Sequence, residues 1–149
     1  MCGRYSFFSP DEVLEDHFQA QFAMPIKRHY NAAPSQLLPV ITNADPTHIV
    51  AGKWGLLPPW ARKKKSFSGI INARSDSLTE KKSFIKTIEQ LRCLVLADSF
   101  FEWTRKADQK IPYRILLGSE QPFAFAVIFE LYQPQPGITT PTFSIITVP

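Results

Sequence analysis

The sequence predicts an α+β fold: a single β-rich domain of mainly antiparallel strands with two or three short helices. Three observations lead there. Thirteen prolines accompany only six glycines, and prolines spread over strand edges and turns suit an irregular β fold rather than a helical bundle. Short apolar runs alternate with turn-forming clusters such as Asn43-Ala44-Asp45-Pro46 and Pro134 to Pro141, which is the pattern of strands joined by turns. The 149 residues contain no internal repeat, low-complexity segment or long linker, so residues 1–149 are expected to form one domain with its own core.

The elements follow in order. Residues 2–8 read as a short strand ending at Phe7-Phe8. Ser9-Pro10-Asp11-Glu12 then starts a helix, with Ser9 as cap, Pro10 in the first turn and Glu12 completing a capping box. Val13, Leu14, Phe18 and Phe22 give that helix an apolar face, with His17 at the edge of the core, and it ends before Pro25. A loop spans Arg28 to Pro34. Leu37 to Thr42 and His48 to Leu56 read as two strands. Residues 77–90 form a helix with Leu78, Phe84, Ile85 and Ile88 as buried positions. Leu91 to Ala97 is a buried strand in which Cys93 is a core cysteine. Phe100 to Trp103 and Ile111 to Leu117 form a hairpin around the polar loop Arg105 to Lys110. Phe123 to Leu131 and Thr142 to Val148 complete the sheet.

Composition narrows the setting. A hydrophobic share of 44% beside 20% charged residues is that of a soluble globular protein. The net charge of +4 suits an anionic partner such as nucleic acid. Two cysteines, Cys2 and Cys93, make no disulfide framework, and a reduced intracellular setting fits them. No leader is expected before the domain, and no apolar run has the length of a membrane span, so no membrane partner is expected. The expected location is the cytoplasm, at the nucleoid, for a bacterial protein and the nucleus for a eukaryotic one.

The chemistry starts at Met1-Cys2-Gly3-Arg4. Removal of Met1 leaves an α-amine and a thiol on adjacent carbons, a 1,2-aminothiol. The amine titrates near roughly 8 and the thiol near roughly 8.5, so each has a reactive fraction at neutral pH. The amine can form a Schiff base with an aldehyde, and the thiol can close a five-membered thiazolidine. Gly3 leaves room for a substrate to approach the backbone, and Arg4 adds a cation beside the nucleophile. Cys2 alone also reads as a small residue placed there by chance.

Three further stretches carry candidates. Trp60 is followed by Arg62-Lys63-Lys64-Lys65, either a solvated loop or a stacking platform beside a phosphate-tracking edge. Asn72 and Arg74 are two residues apart and share a face if extended; Asn72 can orient a substrate and Arg74 can fork onto a phosphate. Glu102 is one carboxylate between aromatics. Pointing inward, it would have its pKa raised by desolvation into the range of a useful acid or base; pointing outward, it is a solvent-face charge.

The stretches Met1-Cys2-Gly3-Arg4-Tyr5, Tyr30-Asn31-Ala32-Ala33-Pro34, Trp54-Gly55-Leu56-Leu57-Pro58, Asn72-Ala73-Arg74, Arg92-Cys93-Leu94-Val95, Phe101-Glu102-Trp103 and Ile145-Ile146-Thr147 agree in order and spacing along nearly the whole chain. Together they make the sequence resemble the SOS response-associated peptidase (SRAP) family of abasic-site processing proteins. The resemblance implies a barrel-like core and a monomer that binds single-stranded DNA containing abasic sites and crosslinks to it, without metal or other cofactor. It implies that Cys2 is the nucleophile, Glu102 the proton-handling carboxylate and Asn72 the residue orienting the opened sugar. It implies phosphate contacts from Arg4 and Arg74, and a DNA channel lined by Asn31, Pro34, Trp60 and Thr147.

Some positions depart from the family pattern. Leu96 and Ser99 stand where Pro and Gly are usual, so a locally altered turn is expected before Glu102. Asp76 stands where Glu is frequent. The family continues to a His-Asp-Arg-Met-Pro-like motif, whereas this chain stops at Pro149 and His17, His29 and His48 do not take that place. The expectation is a domain lacking that segment, with apolar surface exposed. Two other classes remain open. Class II glutamine amidotransferases also begin Met-Cys-Gly, but they usually carry an Asn-Gly dipeptide, and here Asn31, Asn43 and Asn72 are each followed by alanine. A non-covalent single-strand binding module would need only the basic and aromatic residues. Any peptidase activity is expected to be limited to self-removal of Met1 or other autoprocessing.

Overall fold

The structure, a computed structural model, describes residues 2–64 and 66–149, without the side chains of residues 82 and 83. Met1, on whose removal the aminothiol depends, and Lys65 of the cationic run lie outside the described residues. The elements run β1 (Arg4–Phe7), α1 (Asp11–Phe18), β2 (Gln21–Phe22), β3 (His29–Ala32), β4 (Leu37–Thr42), β5 (Asp45–Trp54), β6 (Asn72–Arg74), α2 (Lys82–Gln90), β7 (Arg92–Ala97), β8 (Ser99–Lys106), β9 (Gln109–Ile115), β10 (Phe123–Gln135) and β11 (Ile138–Thr147). Short 3-10 turns occupy Pro59–Ala61 and Ser75–Ser77. The architecture is α+β with a barrel-like core.

The barrel is β5-β4-β7-β10-β11, closed by parallel pairing of β11 back onto β5 at Thr142 with Lys53 and Phe143 with Trp54. Closure leaves no free edge within this ring, and so narrow a barrel is filled by side chains. Leu38, Val40, Trp54, Val95 and Phe143 are all fully buried there. Trp54 stacks on Phe143 with centroids 6.4 Å apart. Gly52 is required by this crowding, because a Cβ on it would lie 2.9 Å from a methyl of Val40. β2 extends the barrel sheet beside β5, and β6 extends it beside β11.

A second sheet, β3-β1-β8-β9, packs on the barrel through one face of β1. Tyr5 and Phe7 are fully buried, and the Tyr5 ring meets Trp54 at 5.4 Å and Phe125 at 5.6 Å. Aromatic contacts of this kind bring large buried area together with specific geometry. β1 is thereby held at the junction of the two sheets.

Several local expectations change. Ser9 does not cap α1. Pro10 occupies the cap position without a side-chain hydrogen bond, because the Ser9 amide and hydroxyl both donate to Asp98, as does the Phe8 amide at 2.7 Å. The helix stops at Phe18, where Gln19 turns left-handed, and Phe22 pairs with Ile49 in a strand instead of extending the helical face. Val13 and His17 are exposed. The second helix is shorter than residues 77–90, and Ile85 on it is exposed. The loop expected over Arg105 to Lys110 is a tight turn, with the strands paired as far as Lys106 and Gln109. The turn before Glu102 is built on Asp98, with Leu96 and Ser99 fully buried on either side. Apolar surface is open on the barrel wall, where Ile41, Ile88, Cys93, Leu94, Val127 and Ile146 line a groove of ≈ 430 Å³.

Candidate functional site

β1 and β8 run antiparallel with Arg4 opposite Phe101 and Tyr5 opposite Phe100. One further step in this register sets Gly3 opposite Glu102. Directly opposed residues share a face, so Glu102 lies across from the one residue in the segment that has no side chain. A Cβ added to Gly3 would meet nothing within 4 Å. The space the sequence suggests beside Cys2 is therefore present.

Cys2 is 6% exposed. Its backbone carbonyl accepts a hydrogen bond from Asn72 Nδ2 at 2.9 Å, across 70 residues of sequence. Its Sγ donates to the Arg4 carbonyl at 3.7 Å. Burial pushes the thiol up to about 11, the bond to the Arg4 carbonyl pulls it down, and the negative charge of Glu102 pushes it up again. This corrects the expectation of a reactive thiolate fraction at neutral pH, which took the thiol as solvated. It also corrects the place of Arg4. The guanidinium turns away to donate to Asn31 Oδ1 at 3.3 Å, so the carbonyl of Arg4, not its charge, meets the sulfur.

Asn72 begins β6, which pairs in parallel with β11 so that Asn72 lies opposite Ile145 and Arg74 opposite Thr147. The Asn72 Oδ1 is buried and has no hydrogen-bond partner among the described residues. An orphaned buried acceptor costs about 1–3 kcal/mol, so this oxygen is suited to receive an N–H or O–H from a bound molecule at Cys2. The Tyr5 hydroxyl is likewise buried and, among the described residues, unpartnered, and its pKa is raised well above 10.0, first by burial and then by the charge of Cys2. Sequence reasoning gave Tyr5 no role; the signal available was a hydroxyl on an otherwise apolar core face.

Cys2, Arg4, Asn31, Asn72 and Glu102 are thus connected by contacts, by register or by charge. Arg74 and Thr147 form the next step along β6 and β11. Arg74 is exposed, and its fork is closed on Asp76 at 3.1 and 2.5 Å. That pairing raises the pKa of Arg74 and lowers that of Asp76. Pro34 is half-buried in the turn that follows Asn31.

Trp60 stands apart. It is 52% exposed, and its ring contacts are Phe67 at 5.4 Å and Lys64 at 5.1 Å, inside its own loop. That loop is pinched at its base by Gly55 and Gly69, both at positive φ, where a Cβ on Gly69 would fall 2.6 Å from the Gly55 carbonyl. Arg62 leaves the cationic run to donate to the Leu131 carbonyl at 2.9 Å and to pair with Glu130 at 3.6 Å. The histidines lie elsewhere: His17 against Phe18, His29 opposite Phe7, and His48 paired with Asp45. Among the described residues no group of three or more His, Cys, Asp or Glu is placed to hold a metal ion, and no helix is long and apolar enough to cross a membrane.

The family model described as SOS response associated peptidase (SRAP) matches residues 1–149. The abasic site processing protein YoqW of Bacillus subtilis is 41% identical over 152 residues, covering 99% of this chain and 68% of that protein. The abasic site processing protein HMCES of Mus musculus is 34% identical over 143 residues, covering 77% of this chain and 40% of that protein. A crystal structure of a protein from Bacteroides thetaiotaomicron superposes with a TM-score of 0.86 at 28% identity, over 99% of this chain and 68% of that one.

Proposed function

Because the chain belongs to the SOS response-associated peptidase family, we propose that it processes abasic sites, binding single-stranded DNA that carries them and joining to it covalently through Cys2 once Met1 is removed. The observation that carries the reading is the combination at Cys2. Its backbone is tied by Asn72, whose second amide atom is an acceptor with no partner among the described residues, and open space lies beside Gly3.

The chemistry divides into two steps. The open-chain form of an abasic deoxyribose carries an aldehyde at C1′. The Cys2 amine adds to it, and loss of water gives a protonated imine. The Cys2 sulfur then adds to the imine carbon, its proton is taken up by base, and the nitrogen becomes the ring amine of a thiazolidine. The net change is aldehyde plus aminothiol giving thiazolidine plus water. Glu102 carries protons to the departing water and from the sulfur, a role supported by its charge being felt at the thiol. Asn72 Oδ1 accepts from the amine or from a sugar hydroxyl.

The high pKa of the thiol sets the order. A buried neutral thiol is a poor nucleophile, so the sulfur waits while the amine reacts. The imine is cationic when protonated, and a positive charge within a few ångströms favours the thiolate. Formation of the first bond thereby activates the second. Arg4, Asn31, Arg74 and Thr147 hold phosphates and sugar nearby, with Pro34 and Trp60 as flat apolar surfaces along the channel.

The test is the intact mass of the protein before and after mixing with a single strand in which glycosylase has converted one uracil to an abasic site. The expected result is loss of Met1, then a DNA-sized mass shift that survives denaturation, is abolished in Cys2→Ala and is retained in Cys93→Ala. A Met1-free, folded protein that binds the strand without a mass shift would overturn the covalent reading and leave a non-covalent binding module. Hydrolysis of glutamine to glutamate would instead revive amidohydrolase chemistry at Cys2.

A further inference from the structure

We propose that Asp98 is a positioning residue for the site at Cys2: it pins the far end of β1, and the pin sets where along β8 the first residues of the chain lie. The proposal rests on the reading of Cys2 as the reacting residue and deepens it, by naming what places Cys2 against Glu102 and Asn72.

Asp98 lies in the turn between β7 and β8 and is 5% exposed. Its Oδ2 accepts from the Phe8 amide at 2.7 Å and the Ser9 amide at 3.0 Å, and its Oδ1 accepts from the Ser9 hydroxyl. The Asp98 amide donates back to the Ser6 carbonyl at 2.8 Å. Among the described residues, the hydrogen bonds of this carboxylate all go to the two residues that follow β1. An acid serving α1 would bond amides inside the helix, whereas these amides precede Pro10. Beside the carboxylate, the hydroxyls of Ser6 and Ser99 meet at 2.5 Å and Arg114 Nε donates to Ser99 Oγ at 2.9 Å. The Phe8 ring stacks on Tyr30 at 5.3 Å, with the Arg114 guanidinium 5.6 Å from its centroid.

The pin matters because the strand pairing is short. β1 meets β8 only from Arg4 to Ser6, and its register against β3 shifts between Tyr5 and Phe7. Burial of Tyr5 and Phe7 decides which face of β1 turns inward, since a slip of one residue would expose both. A slip of two keeps the face and carries Cys2 about 7 Å along the sheet, away from Asn72. Asp98 opposes that slip, because it would strip a buried carboxylate of its donors. From the pin, three residues of β1 lead from Ser6 to Gly3 and three of β8 lead from Ser99 to Glu102, about 10 Å each. One side chain thereby sets both sides of the site.

The experiment measures iodoacetamide labelling of Cys2 and Cys93 in the same protein, peptide by peptide, at pH 8. The variants are Asp98→Ala, Asp98→Asn and Ser9→Ala. Opening of the whole fold exposes both thiols, whereas slack in β1 exposes Cys2 alone, so Cys93 is the internal control. Return of the Cys2 thiol from about 11 to 9.0 would raise its thiolate fraction about 100-fold at pH 8. Asp98→Ala is expected to label Cys2 about 10-fold faster with Cys93 unchanged, and Ser9→Ala, which removes only the hydroxyl bond, about 3-fold faster. Asp98→Asn is expected to restore the slow rate, because its amide oxygen can accept from both backbone amides and its nitrogen can donate to Ser9 Oγ. Ser9 is half-buried, so Ser9→Ala keeps the test decisive if Asp98→Ala does not fold. Cys2 labelling that stays at the wild-type rate in Ser9→Ala and Asp98→Ala, or that rises in step with Cys93, would overturn the pin. Asp98→Asn as fast as Asp98→Ala would overturn its hydrogen-bond basis. Crosslinking to abasic strands, run in parallel, is expected to slow about 10-fold in Asp98→Ala and to recover in Asp98→Asn. No adduct from wild type rejects the covalent reading and leaves the labelling result standing; adducts at the wild-type rate in every variant, beside unchanged labelling, reject only the role of Asp98.

Discussion

Cys2 and Cys93 are buried to the same degree, 6% and 5% exposed, and share little else. Cys93 sits in the barrel wall, where desolvation alone raises its thiol pKa. Cys2 sits where two sheets meet, and its surroundings are polar: a carboxylate whose charge it feels, a carbonyl on its sulfur, an amide on its backbone, and two orphaned polar atoms among the side chains tied to it. The difference teaches that burial by itself makes a cysteine inert. A reactive one is recognised by uncompensated polar groups held close to it, which cost stability and are best explained by a ligand that satisfies them.

Asn72→Ala breaks the comparison most severely, because it gives Cys2 the surroundings of Cys93: burial without a tether. The carbonyl of Cys2 loses its donor, at a cost of about 1–3 kcal/mol, and the aminothiol loses its orientation. A crosslinking rate about 10²-fold lower is expected, the scale of a small misplacement of a reacting group. The check is single-turnover kinetics on abasic strands, beside a denaturant melt. A rate within threefold of wild type would mean that the tether is structural only.

Alkaline pH sharpens the comparison next. The folded thiol of Cys2 titrates at about 11 against an ordinary value of 9.0. Between those values the unfolded chain gives up its proton while the folded chain keeps it. The folded state then binds more protons, so stability falls as pH rises from about 9 to about 11 and this contribution levels off above. Cys93 starts from the same ordinary value and is raised further, so it acts over the same range and beyond it, and Tyr5 joins from 10.0 upward. Cys2→Ala and Cys93→Ala are each expected to flatten the decline between about 9 and about 11, whereas above about 11 only Cys93→Ala is flatter than wild type. Urea melts at half-unit pH steps measure this, and identical slopes in the two variants above about 11 would refute the assignment. Iodoacetamide labelling of Cys2 at pH 7 is expected to be slow for the same reason.

The sequence carried the local rules and missed those that depend on distant partners. The Asn43-Ala44 turn between β4 and β5, the hairpin around residue 107 and the core placement of Cys93 follow from short-range pattern. The site residues came from residue type, spacing and the family resemblance together. Ser9 was misread because its partner, Asp98, is 89 residues away. The thiol of Cys2 was misread because its solvation is decided by strands that meet only after folding. Closure of the barrel depends on β11 returning to β5 in parallel, for which no pattern in either strand gives notice.

Tyr5→Phe gives the smallest effect and the finest test of the comparison. The hydroxyl is fully buried with no hydrogen-bond partner among the described residues, whereas the ring makes the contacts to Trp54 and Phe125 that dock the two sheets. Phenylalanine keeps the ring and removes only the unsatisfied oxygen. If the hydroxyl belongs to the polar surroundings of Cys2 and serves a bound strand, its removal is expected to stabilise the free protein by about 1 kcal/mol and to slow crosslinking. If it is an idle core atom, the same gain in stability appears with an unchanged rate. Paired measurements of melting and crosslinking on this one variant therefore decide whether the reactive neighbourhood of Cys2 extends into the core beneath it or stops at the strand that carries it.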